Sequence, residues 1–219
     1  MLDVVIDARS ADLGRGLVVK RLLPFSKRRM VGPFIFLDHA GPLKLSPEAA
    51  RQADVRPHPH IGLSTVTYLL SGLVTHRDSL GVQQVIRPGE VNWMTAGRGI
   101  SHSERFEDPA AFAGDGLQLL QSWVALPEAE EETDPAFDNY PVHALPQARD
   151  SGTWMRLCST GCFGFLIFLN HAISISSHPS RRGAAAREWR GSYRHRQTRS
   201  RTAFLDRPGG RRHTSTPHD

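Results

Sequence analysis

Two pairs of possible metal ligands share one spacing in this sequence. The segment RPHPHIG, residues 56–62, carries His58 and His60, and the later segment GRGISHSERF carries His102 and Glu104. In extended backbone, side chains two positions apart lie on the same face, so each segment can present both donors to one side. If the two segments face each other across a barrel, three imidazoles and one carboxylate converge. Such a set suits a divalent transition metal, Fe(II), Mn, Ni, Cu, Co or Zn, and leaves two positions of an octahedral ion open for water, dioxygen or substrate.

The residues around the ligands indicate the kind of backbone that holds them. Pro57 and Pro59 fix φ and remove two backbone donors, which suits an edge strand or a bulged strand at the border of a cavity. Gly97 and Gly99 permit tight turns that would aim the second ligand pair inward. We therefore expect both ligand pairs on strands that line one pocket.

The first 125 residues read as short strands separated by turns. STVTYLLSG, at residues 64–72, is rich in β-branched and aromatic residues, and LVVKRLLP, GPFIFLDHAGP and LQLLQSWVALP are further strand candidates. Ser46 and Pro47 predict one short helix at SPEAARQA, because serine caps helices and proline fits the first helical position. The acidic segment AEEETDPAF, residues 129–137, is expected to be a solvated connection. The fold class predicted from this pattern is all-β, a barrel or sandwich.

The charge of the chain is distributed unevenly. Residues 1–170 hold 16 Lys+Arg and 19 Asp+Glu, whereas residues 171–219 hold 11 Arg, no Lys and 3 acidic residues. The net charge of +5 therefore comes from the C-terminal end. The body of the chain is mildly acidic, so nucleic acid is not an expected partner for it.

No feature of the sequence predicts a membrane or a secreted location. No apolar run approaches the roughly 20 residues that a spanning helix needs, and the N-terminus has acidic residues where a signal peptide would be basic and then apolar. Cys158 and Cys162 do not form a disulfide framework. A cytoplasmic location is the resulting expectation.

Residues 171–219 differ from the rest of the chain in composition. Arg, Ser, His, Pro and Thr dominate, and such a segment buries too little apolar surface to offset its ordering entropy, so disorder is expected. Arginine without lysine is typical of an out-of-frame reading of GC-rich DNA, and we interpret the segment as the product of a frameshift or gene truncation. The alternative is a genuine basic tail that binds RNA or acidic surfaces.

Two long motifs resemble the pirin family of the cupin superfamily. They are PHPHIGLSTVTYLLSG and IRPGEVNWMTAGRGISHSE, and the resemblance extends over roughly residues 2–150. It implies a cupin fold, a double-stranded β-helix or jelly-roll barrel, as the N-terminal half of a bicupin whose second barrel is largely missing. The implied domains are a pirin-type cupin at residues 1–150, a vestige of the second cupin at residues 151–170, and the tail at residues 171–219.

The resemblance also implies a metal set and a reaction. Pirin-like proteins bind one metal, usually iron, through three histidines and one glutamate. The matching positions are His58, His60, His102 and Glu104. Several pirin-like proteins are similar to quercetin 2,3-dioxygenases, which open a flavonol ring with O2. Glu104 would then either remain a metal ligand or loosen from the metal to accept the substrate proton. The alternative is a non-catalytic, metal-binding regulatory protein, such as a transcriptional cofactor or redox sensor.

Other residues near the motifs are candidates for supporting roles. His76, Asp78 and Ser103 are candidates for orienting the metal ligands, although a solvated histidine beside a turn is the favoured interpretation of His76. His39 is interpreted as a turn residue that packs under the barrel. Trp93, with Met94, is expected to fill the core.

Overall fold

The computed structural model describes residues 4–14, 16–112, 114–150, 153–157, 165–168, 172–175 and 202–205. This part of the chain is dominated by β-strands, and the all-β prediction is confirmed. The strands are β1 (Val4–Ile6), β2 (Arg9–Asp12), β3 (Val18–Leu23), β4 (Phe34–Leu43), β5 (Val55–His60), β6 (Leu63–Ser71), β7 (Val74–Asp78), β8 (Gln83–Ile86), β9 (Val91–Thr95), β10 (Ile100–Arg105), β11 (Leu117–Ala125), β12 (Ala136–Tyr140), β13 (Gln147–Asp150), β14 (Thr153–Leu157), β15 (Phe165–Phe168), β16 (Ala172–Ile175) and β17 (Thr202–Leu205). The helices are α1 (Pro47–Gln52) and the 3-10 turns Pro109–Phe112, Glu128–Glu130 and Val142–Ala144.

Two of the sheets form a barrel-like sandwich around a shared core. One has seven strands in the order β12-β9-β6-β11-β4-β3-β2, and the other has four in the order β5-β10-β7-β8. Leu69 and Leu119 of the larger sheet belong to the same buried cluster as Val74 and Ile86 of the smaller sheet. The inner faces of the two sheets therefore pack on each other, as in a jelly roll.

The seven-stranded sheet is buried on both faces. Val66 and Tyr68 of β6, with Leu120 and Val124 of β11, alternate with the inward-facing residues and belong to a second cluster on the outer face. Ile6, at the end of β1, is also part of this outer cluster. Because alternate residues of a strand point to opposite faces, β6 and β11 each contribute to two cores.

The inner face of the seven-stranded sheet is arranged in rows of laterally paired residues. One row, called here the polar row, consists of Arg21, Asp38, Gln121, Thr67, Asn92 and Asn139. The next row, called here the aromatic row, consists of Phe36, Trp123, Thr65, Met94 and Phe137. These rows decide which side chains of this sheet can reach the smaller sheet opposite.

The polar row is largely bonded to itself. Arg21 donates from Nε and Nη2 to both carboxylate oxygens of Asp38, at 2.9 and 2.8 Å. Thr67 donates to Oε1 of Gln121 at 2.6 Å, and Asn139 donates to Oδ1 of Asn92 at 2.7 Å. Polar side chains inside a barrel cost little when their partners are present, so this row fits a structural role.

Most local predictions of secondary structure are confirmed, but those for His39 and for residues 129–137 are wrong. The predicted helix is α1, in which Oγ of Ser46 accepts a hydrogen bond from the backbone N–H of Ala49 at 3.2 Å. His39 is not a turn residue: it lies within β4, is 5% exposed, and its Nε2 lies 2.9 Å from Nε2 of Gln118. The connection predicted at residues 129–137 is also too long, because Phe137 already lies in β12.

A third sheet contains the last described strands. It has six strands in the order β1-β17-β16-β15-β14-β13. Within residues 171–219 only β16 and β17 are described, and the rest of the predicted disordered tail, like Cys158 and Cys162, lies outside the described residues. The division at residues 150 and 170 and the disorder of the tail stay predictions. No helix among the described residues is long and apolar enough to cross a membrane.

Candidate metal centre

The two ligand segments are neighbours in one sheet. β5 and β10 pair antiparallel, and His58 lies directly opposite His102 in the register. The two segments therefore lie side by side in one sheet and do not face each other across the barrel. Convergence arises because directly opposite residues of an antiparallel pair have side chains on the same face, about 5 Å apart.

The proline-rich strand has the geometry that its sequence indicates. β5 is an edge strand of the four-stranded sheet, and its pairing with β10 shifts register between His102 and Glu104. Because Glu104 pairs with Val55, β5 has one more residue than β10 across this shift. The extra residue falls at Arg56 and Pro57 and forms a bulge. Proline is tolerated at a bulge of an edge strand, because the backbone N–H that it lacks is not needed there for pairing.

Three histidines converge on one point at the inner face of this edge. The ligand atoms of His58, His60 and His102 all lie within 4.8 Å of one another. Nε2 of His60 and Nε2 of His102 are 3.1 Å apart, and the ring of His58 is 4.8 and 4.5 Å from the other two ring centroids. We call these three residues the histidine cluster.

Burial keeps two members of the cluster, His60 and His102, uncharged. Burial is the largest cause that lowers the pKa of His60 to about 4, with a smaller contribution from His58. Burial likewise lowers the pKa of His102 to about 2, and the neighbouring histidines add to the shift. Since both values lie far below neutral pH, both rings are neutral and each has one nitrogen lone pair available to a ligand.

The histidine cluster fits a metal ion. Nδ1 of His58 donates to the backbone carbonyl of Arg56 at 2.9 Å, which leaves its Nε2 as the nitrogen with a free lone pair. Nε2 of His60 and Nε2 of His102 also point into the cluster. Imidazole nitrogens directed at one another are a donor set that suits Fe, Ni, Cu, Co or Zn.

Glu104 lies beside the cluster but is not one of its close members. Among the described residues, the group whose ligand atoms lie within 4.8 Å of one another contains the three histidines alone. Glu104 lies on the same face of β10 as His102, and it interacts electrostatically with His58. Burial, the largest cause, raises the pKa of the Glu104 carboxyl, and the interaction with His58 lowers it in part. Its ligand role stays a prediction.

His76 is buried beside the cluster, so the interpretation of a solvated histidine is wrong. It is 3% exposed, and its Nε2 donates to Oδ2 of Asp78 at 2.9 Å. Its Nδ1 lies 3.4 Å from Nδ1 of His102. Ser103, the third candidate for orienting ligands, lies on the opposite face of β10 from His102.

The aromatic wall of the site was not predicted from the sequence. Trp123 of β11 approaches His60 edge-on at 5.2 Å between ring centroids, and Phe36 stacks on Trp123 at 4.2 Å. Trp93 packs against the outer cluster and Met94 is 1% exposed, so both fill the core as expected. Strand alternation places Trp123 on the inner face together with Leu119, but sequence alone does not say which strand lies opposite.

An open pocket adjoins the cluster. It has a volume of about 730 Å³, and its wall includes His58, His60, Leu63, Ile100 and Trp123. Ile61, which is 69% exposed, lies at the same pocket. The pocket is thus mainly apolar, with imidazole groups at one side, which is the usual composition of a small-molecule site.

Comparison with known proteins identifies this architecture. Residues 16–124 match the family model described as Pirin. A pirin-like protein of Caulobacter vibrioides is 54% identical over 165 residues, which cover 75% of this chain and 57% of the relative. The chain spans about half the length of the curated relatives it matches.

Solved structures agree with the family match. The crystal structure of a quercetin 2,3-dioxygenase from Acinetobacter baumannii has a TM-score of 0.64 and 37% identity, over 77% of this chain and 59% of that one. A bacterial pirin from Escherichia coli, solved in complex with nickel(II), has a TM-score of 0.50 and 25% identity, over 61% of this chain and 54% of that one. The all-β fold, the edge-strand histidines and the matched motifs agree: the chain has the cupin fold and, through residues 16–124, belongs to the pirin family.

Proposed function

We propose that this protein is a metal-dependent dioxygenase that opens the ring of a flavonol such as quercetin with O2. The observation that carries the proposal is the convergence of three imidazoles, two of which, His58 and His60, line an apolar pocket of about 730 Å³. That volume lies within the range of roughly 300–1,000 Å³ typical of small-molecule sites.

The metal site of this proposal consists of four residues. His58, His60 and His102 would hold one divalent ion through Nε2, and Glu104 would complete the set from the same face of β10. Fe(II) is the proposed ion, and Mn, Ni, Co, Cu and Zn suit the same donors. When bound, the ion would supply Lewis acidity and a template for substrate and O2.

The pocket wall would bind and orient the substrate rings. Trp123, Leu63 and Ile100 offer flat or apolar surfaces to a planar aromatic molecule, and they exclude water from the face that they cover. Trp123 is itself held by the stacked ring of Phe36, over which the guanidinium of Arg21 lies at 4.7 Å. A wall held in this way keeps its shape when substrate enters.

Glu104 is proposed to accept the proton of the flavonol hydroxyl. Burial raises its pKa above the ordinary value, which makes its carboxylate a stronger base than an exposed one. The neutral state of His60 and His102 favours the same division of roles, because both keep their lone pairs for the metal.

Relatives support the reaction class. The Acinetobacter baumannii structure is that of a quercetin 2,3-dioxygenase, and the pirin from Escherichia coli was solved with nickel(II). The activity of the complete relatives extends to this chain only as a proposal, because the chain spans about half of their length.

The test is turnover of quercetin by the protein loaded with each metal in turn. Purified full chain is stripped of metal and reloaded with Fe, Mn, Ni, Co or Cu, and the loss of flavonol absorbance is followed under oxygen. We expect turnover with at least one ion, its loss in His58→Ala, and no change in His143→Ala, a matched histidine that is exposed.

The possible outcomes separate the enzyme from the regulator. Stoichiometric metal binding without turnover by any ion would overturn the dioxygenase and leave the metal-binding regulatory protein. Failure to bind metal would overturn both.

A further inference from the structure

We propose that Asp78 and His76 are positioning residues that fix His102 in the tautomer whose Nε2 lone pair faces the metal. The proposal rests on the proposed metal site. It adds two residues that do not touch the ion and that determine how one of its ligands is presented.

A continuous line of polar contacts leads from Asp78 to the histidine cluster. Oδ2 of Asp78 lies 2.9 Å from Nε2 of His76. Nδ1 of His76 lies 3.4 Å from Nδ1 of His102, and Nε2 of His102 lies 3.1 Å from Nε2 of His60. Every ring nitrogen along this line therefore faces one defined partner.

The first proton in the line is fixed by the carboxylate. The Asp78 side chain is 0% exposed, and its Oδ1 already accepts hydrogen bonds from the backbone N–H groups of Leu80 and Val82, at 2.9 and 3.1 Å. An ionised carboxylate only accepts hydrogen bonds, so Oδ2 requires a donor, and His76 must hold its proton on Nε2.

The second proton follows from the first. A neutral imidazole that holds its proton on Nε2 has its lone pair on Nδ1, and Nδ1 of His76 lies 3.4 Å from Nδ1 of His102. Only an N–H group can face that lone pair favourably, so His102 holds its proton on Nδ1. The Nε2 of His102 is then the nitrogen with the lone pair, and it is the one directed into the cluster.

The backbone holds the line in place. In the pairing of β7 with β10, Asp78 lies directly opposite His102 and His76 lies directly opposite Glu104. The His76 ring also stacks on Phe137 of the aromatic row, with centroids 4.2 Å apart and an angle of 20° between planes. Stacking fixes the ring plane of His76, and the carboxylate fixes its rotation within that plane.

A hydrogen bond also fixes the tautomer of a second proposed ligand, His58, but its partner is a backbone carbonyl. His58 donates from Nδ1 to the backbone carbonyl of Arg56. A carbonyl oxygen can only accept a hydrogen bond. The direction of the hydrogen bonds between Asp78, His76 and His102, by contrast, can be reversed by a single substitution at Asp78. The His102 line is therefore the part of the site that mutation can test.

The decisive variant is Asp78→Asn. Its Oδ1 still accepts from the two backbone N–H groups, but an amide N–H now faces Nε2 of His76. His76 must then carry its proton on Nδ1 and donate it to Nδ1 of His102. The proton of His102 moves to its Nε2, so that this nitrogen no longer has a lone pair for the metal. Glu107→Gln is the matched control, because it makes the same carboxylate-to-amide change in the exposed ion pair with Arg77.

Two measurements test the proposal on the full chain. Long-range 1H–15N correlation spectra of the metal-free protein report which nitrogen of His102 carries the proton. We expect Nδ1 in the wild type and in Glu107→Gln, and Nε2 in Asp78→Asn. Titration with Ni(II) should show a roughly 10–100-fold weaker affinity for Asp78→Asn alone. An Nε2 proton in the wild type, or unchanged Ni(II) affinity in a folded Asp78→Asn, would overturn the proposal.

A second pair of variants covers the case in which Asp78→Asn does not fold. His76→Gln keeps an amide oxygen that can accept from His102, whereas His76→Leu removes every acceptor. We expect His76→Gln to retain more Ni(II) affinity than His76→Leu, and equal losses would overturn the proposal. Because the tautomer is read without metal or substrate, a failure to turn over quercetin leaves this result unaffected.

Discussion

The polar row and the histidine cluster are two groups of polar side chains inside the same barrel, on opposite sheets. In the polar row, Arg21 and Asp38 satisfy each other with two hydrogen bonds. In the histidine cluster, Nε2 of His60 and Nε2 of His102 face each other at 3.1 Å, and both rings are kept neutral by burial.

This difference distinguishes a structural group of polar side chains from a candidate functional group in the interior of a barrel. The ion pair of the polar row is complete within the chain, and removal of one partner would leave the other charge without its hydrogen bonds. The histidine cluster brings nitrogen ligand atoms within 4.8 Å of one another, and these could hold a metal ion. Destabilising effects should therefore follow mutation of the polar row, whereas ligand-dependent effects should follow mutation of the cluster.

The largest expected effect is stabilisation by metal. At a free metal concentration 1,000 times the Kd, Ni(II) should raise the free energy of unfolding by about 4 kcal/mol, because only the folded chain assembles the site. His102→Ala should show no such increase. Thermal unfolding of both proteins with and without Ni(II) measures this increase in the free energy of unfolding. Equal stabilisation of the wild type and His102→Ala would place metal binding elsewhere and remove the contrast.

The next effect is a loss of stability in acid. The folded-state pKa of His60, about 4, lies below the ordinary value of 6.5, so the unfolded chain takes up a proton that the folded chain does not. Stability is then fully present above about pH 6.5 and is lost as the pH falls toward 4. The contribution of His60 is about 3 kcal/mol.

Urea unfolding of the metal-free protein across this pH window provides the measurement. His60→Gln removes the titrating group, so its unfolding free energy should fall less steeply with pH than that of the wild type. Identical slopes would mean that His60 is not held neutral in the folded chain. Glu104 acts in the opposite sense, because its pKa is raised, and it is common to both proteins.

The third effect tests the polar row itself. Asp38→Ala leaves the Arg21 guanidinium without its buried partner and should lower the free energy of unfolding by about 2–3 kcal/mol. This is below the range for fully buried pairs, because Arg21 keeps 29% of its side chain exposed. Urea unfolding measures the loss, and Ni(II) affinity should stay within a factor of about two.

Glu107→Ala is the matched control for Asp38→Ala. It breaks the Arg77–Glu107 pair, in which both side chains are 45% exposed, and should cost less than about 1 kcal/mol. A cost for Asp38→Ala as small as this would show that the polar row does not stabilise the sheet.

The candidate ligand types could be predicted from the sequence because their spacing is local. The repeat of His58 and His60, with prolines around them, predicts two imidazoles on one face of an edge strand, and the structure has that arrangement. The strand pattern and the cap at Ser46 are local as well, and both are confirmed.

Pairing between distant strands could not be predicted in the same way. That β5 and β10 are neighbours, and that Trp123 faces His60, depends on strand order and register, which a single sequence does not encode locally. The burial of His76 was missed for the same reason: its partners, His102 and Phe137, are distant in sequence.

β11 lies between the pocket and the outer cluster, and its alternate residues contact one or the other. Trp123 forms the wall of the pocket, while Val124, the next residue, is 1% exposed in the outer cluster behind the sheet. A change in the volume of the outer cluster will therefore shift the backbone that carries Trp123. The shape of the pocket is thus open to tuning from behind the sheet, by substitutions at residues that do not line it.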